Sequence, residues 1–226
     1  MGNLFIICGH GAGDPGACGN GYQEAERVRA LANRIKHFGG SAVTIGNTSK
    51  NWYADNLVNN KNIPKGSKVL ELHMDSAVKT AKGAHVIIKK GFDADKYDKE
   101  LAKFLSGMFP GRANTLVGRS DLANPNRAAK AGINYRLAEC GFISNAGDVQ
   151  IFNSKMDEIA KGILKAFDIT PKEESKKEDV SKKENTTASS DKLYRVYEQK
   201  GAFSVKANAE KLQKELQAAG KIAVIM

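Results

Sequence analysis

An apolar run, Leu4-Phe5-Ile6-Ile7, passes directly into the glycine-rich stretch Cys8-Gly9-His10-Gly11-Ala12-Gly13-Asp14-Pro15-Gly16. The run reads as a buried strand, and the glycines form a loop too small to bury the imidazole it carries. Downstream, Val28, Leu31 and Ile35 stand at i, i+3 and i+7, which predicts an amphipathic helix over Glu24–Phe38, ended by Gly39-Gly40. Strand, tight loop and helix make a βα unit, and the pattern continues. Further strands are expected at Ala42–Ile45, Val69–Met74, His85–Lys89 and Tyr135–Cys140. Helices are expected at Trp52–Asn60, Lys96–Phe109 and Val149–Phe167, the last capped by Asn145 or Asp148. Strands alternating with helices predict an α/β fold with a mainly parallel sheet. Sites in such sheets lie beyond the carboxyl ends of the strands, where His10, His73 and Glu139 fall.

Residues 171–191 hold five lysines, six acids, no aromatic residue and almost nothing apolar. Such a segment cannot bury enough surface to fold and reads as a disordered linker, its ends roughly 25 Å apart. It divides the chain into a domain over residues 1–170 and a tail over residues 192–226. Within the tail, Leu193–Tyr197 and Ile222–Ile225 read as strands. Between them lies a helix capped by Ser204, with Ala209, Leu212, Leu216 and Ala219 on its apolar face. This is a βαβ-like unit too small to bury its own apolar face.

Composition narrows the function classes. No stretch approaches 18 apolar residues, so no membrane span is expected. The N-terminus shows no signal peptide, which predicts a product made in the host cytoplasm that reaches any outside target only after release. Three cysteines without a CxxC pair argue against a disulfide framework. The net charge of +10 suggests an anionic partner. No arginine-rich run, zinc-finger spacing or aromatic-interleaved basic strand accompanies it, so nucleic acid is not the expected partner. Anionic cell-wall polymers satisfy the charge equally well, as does a solvated surface.

Four residues carry the chemistry. His10 follows the first strand, Glu24 opens the long helix, and His73 alternates with apolar residues in Leu70-Glu71-Leu72-His73-Met74. Singly, each histidine reads as a hydrogen-bonded structural residue and Glu24 as a favourable charge at a helix N-terminus. Jointly they match a hydrolytic zinc site, which takes three His or carboxylate ligands and leaves a position open. Glu139 interrupts the apolar run Leu137-Ala138-Glu139-Cys140-Gly141-Phe142. A buried carboxylate needs a partner. The structural reading pairs it with Arg136 or Arg119. The functional one makes it a general base that deprotonates water and returns the proton to a leaving amine. His37 at a helix end and His85 at a strand start lie outside this set, and Trp52 reads as packing.

The segments GHGAGDPGACGNGYQEA, LELHMDSA and LAECGFISNAGD resemble the zinc-binding and catalytic segments of the N-acetylmuramoyl-L-alanine amidase type 3 family, peptidoglycan hydrolases of bacterial autolysins and phage endolysins. The resemblance covers about residues 3–168. It implies a twisted sheet flanked by helices, a single Zn2+ held by His10, Glu24 and His73, and Glu139 as the catalytic glutamate. Ile7-Cys8 stands where many relatives have Asp-Ala, and Asp75 where many have Asn. Residues 193–225 look like one half of the sporulation-related (SPOR) repeat, a peptidoglycan-binding module that usually carries two halves. A single half suggests that two chains pair their tails as a homodimer. The expectation is a zinc amidase, likened to a phage endolysin, that cuts between N-acetylmuramic acid and L-alanine of the stem peptide. The alternatives are a zinc peptidase acting elsewhere on the stem and a non-catalytic wall-binding protein.

Overall fold

The computed structural model describes residues 3–173. The SPOR-like tail, most of the linker and any tail-to-tail pairing lie outside the described residues. In chain order the elements are β1 (Leu4–Cys8), a small hairpin of β2 (Cys18–Gly19) and β3 (Tyr22–Gln23), α1 (Glu24–Gly39), β4 (Val43–Ile45), β5 (Lys68–Asp75), β6 (His85–Lys89), α2 (Lys96–Met108), β7 (Leu116–Arg119), α3 (Ala123–Ala131), β8 (Asn134–Phe142), α4 (Ala146–Ser154) and α5 (Met156–Ala166). Six strands form one sheet in the order β4-β1-β5-β8-β6-β7. All neighbours run parallel except β6 and β8, which are antiparallel. The mainly parallel α/β expectation therefore holds.

Alternation along the strands sends side chains to two apolar layers. Leu70, Leu72, Ala138 and Cys140 face α1, α2 and α5 in the larger core. Phe5, Ile7, Val69, Tyr135 and Leu137 pack with Trp52, Val58, Ile63 and Ala128 of α3 on the other face. No helix among the described residues is long and apolar enough to cross a membrane. Packing continues slightly past residue 170, since the Lys172 amide donates to Phe38 O at 2.8 Å.

Several expected elements differ from those found. Trp52–Asn60 is a set of turns rather than a helix. Asn51 Oδ1 accepts from the amides of Tyr53 and Ala54, and Asn56 is left-handed with φ 54°. Asparagine side chains here outcompete the helical ladder. The single helix expected at Val149–Phe167 is two, α4 and α5, broken at Lys155 with φ −117° and ψ 23°. Ser154 Oγ donates back to Gln150 O at 2.8 Å, a contact that bends helices. Asn145, not Asp148, caps α4. Four elements had no sequence signal strong enough to mark them: the two-residue strands β2 and β3, the four-residue β7, and α3, whose Pro125 sits in the first turn where it is tolerated.

Candidate metal centre

The carboxyl ends of β1 and β5 and the start of α1 bring His10, Glu24 and His73 together. One ligand atom from each lies within 4.8 Å of the others, and this is the one such group of His, Cys, Asp and Glu found among the described residues. No cysteine belongs to it. Cys8 is buried, and burial pushes its thiol up to about 11.

Each side chain is held by a local device. His10 sits in a left-handed backbone conformation, φ 60°, that costs free energy outside glycine. Arg29 of α1 holds that conformation, donating to Gly9 O at 3.0 Å and His10 O at 2.9 Å. Glu24 is buried at the first position of α1, anchored by its amide to Ala17 O at 2.9 Å. Its Oε1 faces His73 Nδ1 at 2.8 Å and accepts the Met74 amide at 3.1 Å. Its Oε2 faces His10 Nε2 at 3.2 Å and accepts the Ala17 amide at 3.0 Å. The outer nitrogens are also taken: His10 Nδ1 by Asp14 at 2.9 Å and His73 Nε2 by Glu71 at 3.0 Å. Asn51 supports Asp14 at 3.1 Å.

The electrostatics of the cluster suit a cation. Burial pushes the Glu24 carboxyl up, but its hydrogen bonds from both imidazoles outweigh that and hold it well below the usual carboxylate range. The bond to Glu24 raises His10. Burial lowers His73, yet Glu24 and Glu71 together carry it well above an ordinary imidazole. Two imidazoles thus share their protons with one carboxylate at a place where a divalent ion would replace those protons. Imidazole and carboxylate donors on converging backbone fit zinc-type chemistry.

The backbone beside His73 is equally shaped for this. A Cβ on Gly9 would overlap the His73 ring. Gly9→Ala is therefore expected to displace the ring and abolish stoichiometric zinc binding while leaving the far-ultraviolet circular dichroism of the metal-free protein unchanged. A zinc titration that still reaches one equivalent with wild-type affinity would contradict this.

Glu139 stands next to the cluster. In β8 it is in register with His73 of β5 on one side and with His85 of β6 on the other. All three therefore share a sheet face, in one row across three strands. A register shift follows immediately, at Gly141 with φ 79°, where a bulge ends the regular ladder. Neither arginine considered as its partner reaches it: Arg136 pairs with Asp95 and Asp98, and Arg119 with Asp121. Glu139 Oε2 is buried with no hydrogen bond to the described residues. Burial raises its carboxyl to about 7; the nearby His73 opposes that shift, and Asp75 and Glu24 add to it.

The remaining candidates fall into place around this row. Asp75 pairs with Arg112 rather than with an imidazole. His85 is closer to the centre than its sequence context indicated. It is buried, its Nδ1 has no partner among the described residues, and burial lowers its pKa to about 4. His37 lies thirteen residues along α1 from Glu24, about 20 Å by helical rise. Trp52 packs edge-on against Phe5 and donates to Asn47 O at 3.1 Å, so it is a core residue. Asp14, Asn51, Glu71, Asn124 and Tyr135 were not singled out from sequence, though Glu71 shares the anomaly of Glu139, a charge inside an apolar strand.

An α/β sheet carrying a His-Glu-His cluster and a flanking carboxylate at its strand ends has the architecture of a metal-dependent hydrolase. Residues 4–168 match the N-acetylmuramoyl-L-alanine amidase family. The chain belongs to that family of enzymes. It is 34% identical over 183 residues to a probable autolysin of Staphylococcus aureus, an alignment covering 73% of this chain and 38% of that protein. A sporulation-specific N-acetylmuramoyl-L-alanine amidase of Bacillus subtilis is 26% identical over 240 residues, covering 100% of this chain and 85% of that one. The chain thus spans well under half of the staphylococcal relative and most of the Bacillus one. Among solved structures, the CwlD amidase of Clostridioides difficile, in complex with the GerS lipoprotein, shares the fold. It has a TM-score of 0.62 and 20% identity, covering 74% of this chain and 96% of that one.

Proposed function

We propose that this chain is a zinc-dependent peptidoglycan hydrolase that cleaves the amide between the lactyl group of N-acetylmuramic acid and L-alanine of the stem peptide. One observation carries the reading: Glu139 stands in register with His73 at the edge of the His10-Glu24-His73 cluster. His10, Glu24 and His73 would hold the ion, which supplies Lewis acidity when bound. Glu139 accepts a proton from the attacking water. As the carbon–nitrogen bond breaks, the same carboxyl delivers that proton to the departing amine. A carboxyl raised to about 7 suits both halves of that transfer near neutral pH. The products are a muramyl lactic carboxylate and a peptide with a new N-terminal alanine.

The test is end-group analysis of purified Gram-positive walls treated with enzyme. New N-terminal L-alanine is expected, abolished by a chelator and restored by one equivalent of zinc. A different new N-terminus would favour a zinc peptidase. Wall binding without any new amine would leave a non-catalytic binding protein. Clearing by metal-free protein would remove zinc from the reaction.

The biological setting proposed is a phage endolysin made in the host cytoplasm and acting on the wall after release. The names of the two relatives, an autolysin and a sporulation amidase, support a bacterial lytic enzyme as a second reading. Residues 192–226 are proposed to bind peptidoglycan as a SPOR-like half repeat, raising local enzyme concentration at the wall. Pairing of two tails in a homodimer is tested by sedimentation, which should show concentration-dependent association; a fixed monomer overturns it.

A further inference from the structure

Glu71 precedes His73 by two residues on β5 and so shares its face of the sheet. Its side chain is buried, and every hydrogen bond it makes is one it accepts. Asn124 Nδ2 donates to its two oxygens at 3.1 and 2.9 Å, the Tyr135 hydroxyl donates at 2.6 Å, and His73 Nε2 lies at 3.0 Å. A carboxylate in this position is costly, and an apolar residue would pack a strand interior with less penalty. Two groups from other elements, Asn124 of α3 and Tyr135 of β8, nevertheless hold it in place.

The arrangement around the other imidazole shows what such a group does. His10 gives its Nδ1 to Asp14 and turns Nε2 toward Glu24. His73 does the reverse, giving Nε2 to Glu71 and turning Nδ1 toward Glu24. An ionised carboxylate can only accept, so the nitrogen that faces it must carry the proton. His73 Nδ1 faces an ionised carboxylate as well, Glu24, so both nitrogens hold protons without metal. An ion seated between Nδ1 and Glu24 replaces the inner proton and leaves the one that Glu71 holds on Nε2.

We infer that Glu71 is a positioning residue that fixes the tautomer and ring angle of His73, so that Nδ1 and not Nε2 is the metal-ligating nitrogen. This rests on the zinc reading above. Asn124 and Tyr135 act behind it by fixing the carboxylate. Asp14 does the corresponding task for His10, but it lies in an exposed loop, with a side chain 44% accessible against 4% for Glu71. His73 is therefore the more rigidly set of the two.

The inference is tested on the full chain with zinc alone. Affinity is measured by competition with a chromophoric chelator, and the protonation of the His73 nitrogens by long-range nitrogen–proton NMR. Wild type is expected to bind one zinc, with Nε2 protonated and Nδ1 ligated. Glu71→Gln is expected to bind zinc about 10–100-fold more weakly. Its amide must turn an NH2 toward either His73 or the donors of Asn124 and Tyr135, so the hold on the Nε2 proton and on the ring angle is weakened. Unchanged affinity in the variant, or zinc on Nε2 in the wild type, overturns the inference. If Glu71→Gln does not fold, the wild-type NMR decides alone. Wild type that takes up no zinc fails at the earlier step, the metal reading itself.

Discussion

Replacing Glu139 with glutamine is expected to cut the rate of amide cleavage about 10²–10⁴-fold while zinc binding is retained. Glutamine preserves the size of the side chain and its place in the row between His73 and His85. It cannot take a proton from water or return one to an amine. Glu139 is not in the cation cluster, so the ion should stay. Stability should move the other way. Burial raises the Glu139 carboxyl from 4.5 to about 7, so the folded state holds this proton more tightly than the unfolded chain does. The stabilisation is fully present below pH 4.5 and is lost as pH rises through 7. Ionised Glu139 thus costs the metal-free protein up to about 3 kcal/mol at pH 8, a cost glutamine does not carry. Urea unfolding of the metal-free proteins should show Glu139→Gln more stable at pH 8, with the gap closing toward pH 4.5. Equal stability at pH 8 would mean the carboxylate is well solvated. Activity within tenfold of wild type would remove Glu139 from the proton transfer.

Two of the four candidate residues, His10 and Glu139, are legible in sequence because they break a local expectation, whereas Glu24 and His73 read as ordinary singly and stand out only beside the others. His10 opens a loop that cannot cover it, and Glu139 interrupts a run that should be buried. Glu71 breaks the same expectation in Leu70-Glu71-Leu72, but beside a histidine it reads as ordinary alternation in a half-exposed strand. Its partners, Asn124 and Tyr135, lie more than fifty residues away, and no local pattern links them. Asp14 is hidden for another reason: aspartate within a glycine loop is the default turn residue. In the fold, long apolar periodicity was reliable, as for α1 and β5. Errors came where side chains compete with the backbone, at the asparagines of residues 51–62 and at the Ser154 break. The antiparallel pairing of β6 with β8 has no local signature at all, yet it is what places His85 beside Glu139.

Arg136 is expected to matter for stability and not for chemistry. A strand alternates its faces, so residues 136 and 139, an odd number of positions apart, point to opposite sides. Arg136 accordingly faces α2, 1% exposed. It donates to Asp98 Oδ1 at 2.8 Å, Asp95 Oδ2 at 3.0 Å and Asn134 Oδ1 at 2.8 Å, and lies over the Phe167 ring at 5.4 Å. Asp98 is itself buried and closes the capping box of α2 with Asp95. Arg136→Met keeps much of the apolar stem but leaves Asp98 as an uncompensated buried charge, a loss of about 3–5 kcal/mol. Against a typical domain stability of about 5–15 kcal/mol, that is a large fraction of the whole. The double variant Arg136→Met with Asp98→Asn should recover part of the loss. Asparagine still accepts from the Asp95 amide at the cap, and no charge is stranded. Urea unfolding across this double-mutant cycle measures the coupling. Zinc affinity, read under conditions where each variant is folded, should stay at the wild-type value. Additive losses would mean that solvent reaches Asp98 once the arginine is gone. A change in zinc affinity would mean that the packing of β8 against α2 sets the position of Glu139 and His73 across the sheet.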